Sequence, residues 1–319
     1  MNSHPTTPAH EVYLLITIDT ECDHDNNWAR SLPLTYTSVT TGIPDVLQPI
    51  FSQLTAVPTY LLTVEVMENA ECVASLRNIQ GAHELGTHLH AGFVEPEKHH
   101  YDYAGVDCPD FQCHYAPEVE YQKLANLTCL FAEQFSYRPV CFRAGRFGAS
   151  VQTIDALEKL GYLVDTSVTP HILWSEPKGK VDYRQAPEQP YFPAMDTIVT
   201  PGEFRHRTLL EVPVTMKKRW FRGPQWFRPW FSSVAKMKAV VHYHLKRYAG
   251  NRVIVINMMF HSMEVIPKAS PYPQTVDDVK RFTNDLYEAL HWCKNEGIKF
   301  SNTKDFYFTF TNHPSGATT

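Results

Sequence analysis

The 319-residue chain lacks several features that would settle its class at once. It has seven cysteines, an odd number, and no CxxC pair. Cys22, Cys72, Cys108, Cys113, Cys129, Cys141 and Cys293 therefore suit free thiols in a reducing compartment, with Cys108 and Cys113 the one spacing that invites a bridge. No apolar run reaches the ~18 residues of a membrane-spanning helix. Residues 1–10 are polar and lack the apolar segment of a secretory signal. These absences predict a cytoplasmic protein. There is no internal repeat and no linker long enough to split the chain. Residues 11–310 are expected to form one domain, with 1–10 and 311–319 as disordered tails.

Acidic side chains are also missing from one stretch. Between Val212 and Met263 there is no Asp or Glu, but there are ten Lys and Arg residues. The rest of the chain holds 19 basic residues against 34 acidic ones, so the overall charge of −5 hides a basic region on an acidic body. An acidic body argues against wholesale nucleic-acid binding. Hydrophobic residues at 43% and charged residues at 20% are those of a folded globular chain.

What is present is an alternation of short apolar runs with helical periods. Val12–Ile18, Thr59–Val64, Glu84–His88, Val140–Phe142, Leu163–Asp165, Leu209–Val212 and Val253–Met258 read as strands, with a last one near Ile298–Phe300. Helices are predicted at Ile43–Leu54, Met67–Ile79 and Pro117–Phe135, then from Ser150 to Gly161, from Ser232 or Ser233 to Tyr248, and from Thr275 to Gly297. Thr275 and Asp278 form the pattern of a capping box. Phe93–Tyr115 reads as an insertion or lid, and His171–Arg207 as an irregular or hairpin excursion. Strand–helix alternation predicts parallel βαβ units and favours an α/β barrel over an open sheet. In a barrel, chemistry sits at the C-terminal ends of the strands.

Polar residues follow the apolar runs at four places. After the first run, Asp19 and Glu21 share one face of an extended segment, so one carboxylate can bind a metal while the other accepts a proton; a solvated loop would look the same. His88 and His90, as HxH, suit two imidazoles on Zn²⁺ or two packed histidines. Arg143 and Arg146 occupy a Gly-containing turn that opens a helix, which is either an anion site or a plain helix entry. His261, just past a late strand, is either a general acid or base or a structural residue. Their occurrence together, each at a different strand end, favours the functional reading.

The ordered set TIDTE, ELGTHLH, FRAGRFG and MMFHS, with PTYLLT on the second run, resembles the polysaccharide deacetylase superfamily (NodB homology, carbohydrate esterase family 4), and within it the WalW-type branch. The resemblance spans roughly Val12 to Phe300. It implies a distorted (β/α)7 barrel that hydrolyses an acetyl group on a sugar, using Zn²⁺ or another divalent metal such as Co²⁺ or Ni²⁺. It further implies Asp19 as general base, Arg143 as the residue orienting it, Arg146 as the source of an oxyanion-binding N–H, His88 as the first metal histidine and His261 as general acid. The family's metal carboxylate directly follows the base, where this chain has Thr20; Glu21 is the substitute. The family's second metal histidine lies four residues after the first, where this chain has Gly92; His90 takes its place. Asp165 is a candidate substrate contact, expected to pair with an Arg or with His261. Asp19 and His261 are expected on opposite sides of the gap that holds the ion.

Lys217–Phe231 mixes cations with three of the six Trp residues. Trp220 and Trp226 are candidate substrate contacts; the segment suits an anionic membrane surface or lipid-linked glycan, a stacked sugar, or packing on the barrel rim. The expected partner is an acetylated sugar or polysaccharide, with no nucleic acid. Two other functions fit the altered metal motifs: a metal-independent, allantoinase-like C–N hydrolase, and an inactive carbohydrate-binding barrel.

Overall fold

The structure is a computed structural model that describes residues 10–30, 32–100, 111–176 and 179–312. Cys108 and most of the expected tails lie outside the described residues, as does the middle of the 93–115 insertion.

The strands are β1 (Glu11–Thr20), β2 (Thr59–Leu62), β3 (Glu84–Leu89), β4 (Cys141–Ala144), β5 (Val164–Asp165), the antiparallel pair β6 (Leu173–Glu176) and β7 (Gly179–Asp182), β8 (Leu210–Glu211), the hairpin β9 (Met216–Lys217) and β10 (Gln225–Trp226), β11 (Val253–His261) and β12 (Lys299–Phe300). The main sheet runs β11-β1-β2-β3-β4-β5-β8, all parallel, with β12 added beside β1. It curls into the distorted (β/α)7 barrel. The ladder is interrupted between β8 and β11, and side chains close that gap. Thr215 donates its backbone N–H to Asn257 O and accepts the Asn257 N–H at Oγ1, while Gln189 exchanges two hydrogen bonds with the Val255 backbone.

Period-two alternation decides which residues face the barrel interior. On β1, Leu14, Ile16 and Ile18 pack outward against the helices, while Tyr13 and Leu15 point inward. Asp19 falls on the inward phase. The same phase carries Gly86 and His88 on β3, Arg143 on β4 and His261 on β11, whose alternate residues Leu85, Phe142, Ile256 and Phe260 join the outer core. Apart from Thr20 and Thr87 the outward phase of these strands is apolar, and the inward phase gathers Asp19, His88, Arg143 and His261 toward the C-terminal ends.

Most sequence boundaries agree with the structure to within a few residues. The predicted helix at Ile43–Leu54 is a wide π-type helix, Ser38–Leu47, continuing as an α-helix, Gln48–Leu54. Pro44 inside it lacks an N–H, which favours the looser winding. The predicted Met67–Ile79 helix is broken at Asn69, whose side chain caps a new helix by accepting the Cys72 N–H. The Thr275–Asp278 capping box forms as read. A C-terminal helix, Thr303–Thr311, was not anticipated; its Phe306 and Tyr307 plug the lower end of the barrel against Tyr13.

Gly86 has no room for a side chain, because a Cβ there would lie 2.6 Å from the Cys141 carbonyl oxygen. This contact lets β3 and β4 approach beneath His88.

Candidate active site

Strand register assembles the site. Asp19 is paired with His261 across β1 and β11, and His88 with Arg143 across β3 and β4. Glu21 continues the inward phase of β1, and His90 that of β3. Glu21 Oε1 lies 3.6 Å from His88 Nε2, and Glu21 Oε2 lies 3.4 Å from His90 Nε2. Thr20, between the two acids, turns the other way and donates to the Ile18 carbonyl.

These three residues fit a divalent ion. Their ligand atoms lie within 4.8 Å of one another. The O···N separations are too long for good hydrogen bonds and near the ~3.3 Å edge of a tetrahedron drawn with ordinary Zn–N and Zn–O bonds. His88 donates Nδ1–H to the Arg143 carbonyl over 2.9 Å, which turns its Nε2 toward Glu21. Both ring nitrogens of His90 are buried with no hydrogen-bond partner among the described residues. Burial raises the Glu21 carboxyl, but His90, His88 and His24 more than offset it and hold it well below the usual range. Glu21 therefore stays an anion.

Arg143 is fully buried, and each of its three nitrogens donates a hydrogen bond. It donates to Asp19 Oδ1 over 2.6 Å, to Thr17 and Thr166 Oγ1, and to the Thr166 carbonyl. Burial raises the Asp19 carboxyl; Arg143, with His88 and His261, outweighs it and brings it below its ordinary value. Asp19 Oδ2 lies 3.8 Å from His261 Nε2, so the two side chains stand side by side on neighbouring strands instead of facing each other across a gap. His261 is oriented from behind: Glu264 Oε1 accepts its backbone N–H over 3.0 Å and lies 3.0 Å from its Nδ1, with Arg228 Nη2 3.2 Å from the same ring nitrogen. Arg228, 3% exposed, donates to the same carboxylate oxygen.

Arg146 lies on the turn after β4 with φ 56° and ψ 17°, in the left-handed region, and Phe147 follows with φ 56°. Two consecutive non-glycine residues there cost energy, as is common where a turn is shaped for a ligand. Arg146 lines the cavity.

Asp165 is placed differently from expectation. It is buried under the turn, accepts a hydrogen bond from Ser167, and faces Glu211 instead of His261. Burial raises both carboxyls, and Asp165 pushes Glu211 up further. The Ser167 hydroxyl in turn accepts the Ala144 N–H. The pair thus supports β4 from below and does not line the cavity.

The basic aromatic segment divides three ways. Trp226, Arg228 and Phe231 line the cavity, Trp230 stacks on Tyr272 and Phe282, and Trp220 stands at the hairpin tip away from it. The cavity, about 230 Å³, has a floor of Asp19, Glu21, His88 and His90 and walls that include Trp28, Trp174 and Tyr272.

Sequence reasoning missed three cavity residues. His24 Nε2 lies 3.7 Å from Glu21 Oε2; burial pulls its pKa down to about 3, so it is neutral. Arg30 donates to Glu21 Oε2 over 3.1 Å, with Glu65 behind it at 3.6 Å. Trp28 packs on His261 with ring centroids 5.0 Å apart. All three come from the loop after β1, where no periodicity exists to assign a direction.

No protein-family profile matches the chain, and no curated protein sequence does. Solved structures do. A probable polysaccharide deacetylase from Pseudomonas aeruginosa PAO1 is 13% identical with a TM-score of 0.58, the match covering 98% of this chain and 97% of that one. The fold is that of the NodB-type polysaccharide deacetylases. Puue allantoinase shares it, at 12% identity and TM-score 0.59, covering 98% and 96% of the two chains. One NodB-type fold thus carries more than one chemistry, and the reaction has to be argued from the cavity.

Proposed function

We propose that residues 11–310 form one catalytic domain that hydrolyses an acetyl group from an acetylated sugar or polysaccharide. The observation that carries this is the meeting of a donor triad, Glu21, His88 and His90, with an Arg-held carboxylate and a carboxylate-held histidine, all on one cavity floor. A divalent ion such as Zn²⁺, held by the triad, would polarise the acetyl carbonyl and acidify a water.

The chain's own groups supply the proton transfers. Asp19, kept ionised by Arg143, takes a proton from the attacking water. The turn at Arg146 offers backbone N–H to the developing oxyanion, a contribution of ~3 kcal/mol per well-placed donor. His261, with Nδ1–H held by Glu264, presents Nε2–H to the leaving amine or alcohol. Acetate and the deacetylated sugar are the products. The aromatic walls suit the apolar faces of a pyranose ring. The six described cysteines are unpaired, four of them buried, which suits a reducing compartment such as the cytoplasm.

Arg30 favours a second reading, because a cation already sits on the carboxylate that would hold the ion. A metal-free C–N hydrolase would use that fixed charge instead. One experiment separates the two: metal content and acetate release from acetylated chito-oligosaccharides, for the wild type and His88→Ala. The deacetylase reading expects stoichiometric metal and acetate release, both lost in the variant. Hydrolysis of a cyclic ureide by metal-free protein would overturn it, and protein with neither metal nor turnover would leave only sugar binding.

A further inference from the structure

The β9–β10 hairpin carries two large rings that touch nothing. Trp220 is 92% exposed and Phe221 is 98% exposed, side by side between Met216–Lys217 and Gln225–Trp226. Lone exposed apolar residues are ordinary, but an adjacent Trp-Phe pair held at a protruding tip is a recognition feature. The loop is braced in this shape. Arg219 donates Nε–H to the Gly223 carbonyl over 2.7 Å and Nη1–H to Gln225 Oε1 over 3.3 Å. Gln225 in turn donates to Ser232 Oγ. The brace closes the loop beneath the two rings.

Cations surround the pair. Lys218, Arg219 and Arg222 are exposed, Lys217 is half-buried, and no acidic residue occurs between Val212 and Met263. The body behind the hairpin has 34 acidic residues against 19 basic ones outside this stretch. A convex tip with a Trp-Phe pair and a cationic collar does not form a groove for a peptide. Trp prefers the headgroup level of a bilayer, with Lys and Arg on anionic headgroups around it.

We propose that this hairpin docks the protein on an anionic lipid bilayer, with Trp220 and Phe221 entering the headgroup layer and Lys217, Lys218, Arg219 and Arg222 binding lipid phosphates. Its base is continuous with the cavity wall at Trp226. The docking does not depend on the reaction in the cavity, so either can fail without the other.

The test is co-sedimentation of the full chain with phosphatidylcholine vesicles, with and without phosphatidylglycerol, at low and high salt. Binding is expected only with the anionic lipid and should fall by about tenfold or more as salt screens the collar. Trp220→Ala/Phe221→Ala should weaken binding by about tenfold, with melting temperature and activity on a soluble substrate unchanged. Bromine-labelled acyl chains should quench the wild type more than Trp220→Phe, which retains the apolar ring and loses the fluorophore. No binding to anionic vesicles at low salt would overturn the proposal. So would equal binding by the double variant, or binding to a soluble sulfated glycan with no quenching by brominated lipid, which would name an anionic glycan as the occupant.

Discussion

Arg143 reaches from β4 to β1 and donates to Asp19 Oδ1 over 2.6 Å, in a site where neither side chain meets bulk water. Burial pushes the Asp19 carboxyl up; the guanidinium is the first counterweight, with His88 and His261 adding to it. Arg143→Met should therefore raise the pKa of Asp19, and the acidic limb of the kcat/KM profile should move to higher pH. The same change strands a buried carboxylate and should cost about 3 kcal/mol of stability in urea melts. An unshifted acidic limb in a folded variant would show that Asp19 is not the base.

His261 and Glu264 make the complementary prediction. The leaving group needs a proton only as its bond breaks, so His261→Ala should lower kcat by roughly 10²–10⁴ while KM changes little. Glu264→Gln leaves the imidazole in place but weakens its anchor and leaves Arg228 without a counter-charge. It should lower kcat by a smaller factor, about tenfold, and alter the pH profile. Near-normal turnover in His261→Ala would remove it as the acid.

The polar strand ends were legible because β-strands repeat every two residues. Asp19 with Glu21, and His88 with His90, each share a phase, and the structure brings all four to one floor. The barrel was legible from strand–helix alternation. Other features were not, for physical reasons. His24, Trp28 and Arg30 reach the cavity from a loop without periodicity. Gln189 closes the β11 edge from an excursion rich in turns, and nothing in its neighbourhood encodes that partner. Glu264 was within reach: a carboxylate three residues after His261 is a local cap, a shorter path than the distant Asp165. The basic segment was read as one unit because charge and aromatics are uniform along it, whereas the fold sends its residues to the cavity, the core and the solvent.

Glu120 gives a pH test outside the cavity. It is 1% exposed, accepts hydrogen bonds from Gln112 and Thr153, and burial raises its pKa to about 7. Its folded value lies above its unfolded value, near 4.5, so the folded state holds the proton more tightly. Its share of stability is present below about pH 4.5 and is lost as pH rises through 7. Glu120→Gln keeps an acceptor and removes the titration. The stability of the variant relative to wild type should therefore rise by ~3 kcal/mol between pH 4 and pH 8. Urea melts at a series of pH values check this; a flat difference would mean that Glu120 is already ionised in the folded protein.

Gly145 links the arginine turn to the donor triad. A Cβ at this position would lie 2.6 Å from the Leu89 carbonyl oxygen and 2.9 Å from His90 Nδ1. Both contacts are too close, so the end of β3 at Leu89 and the His90 ring that follows it must shift together. Gly145→Ala should thus tilt His90 away from Glu21, cost about 2 kcal/mol in thermal melts, and weaken zinc binding by about tenfold or more. Gly250→Ala is the control, since nothing lies within 4 Å of a Cβ there. Zinc titration of metal-stripped protein by calorimetry reads the effect without recourse to turnover. If Gly145→Ala bound zinc as tightly as wild type, His90 would not be a ligand, and the triad would have to be completed by another group near Glu21, with His24 the nearest buried imidazole.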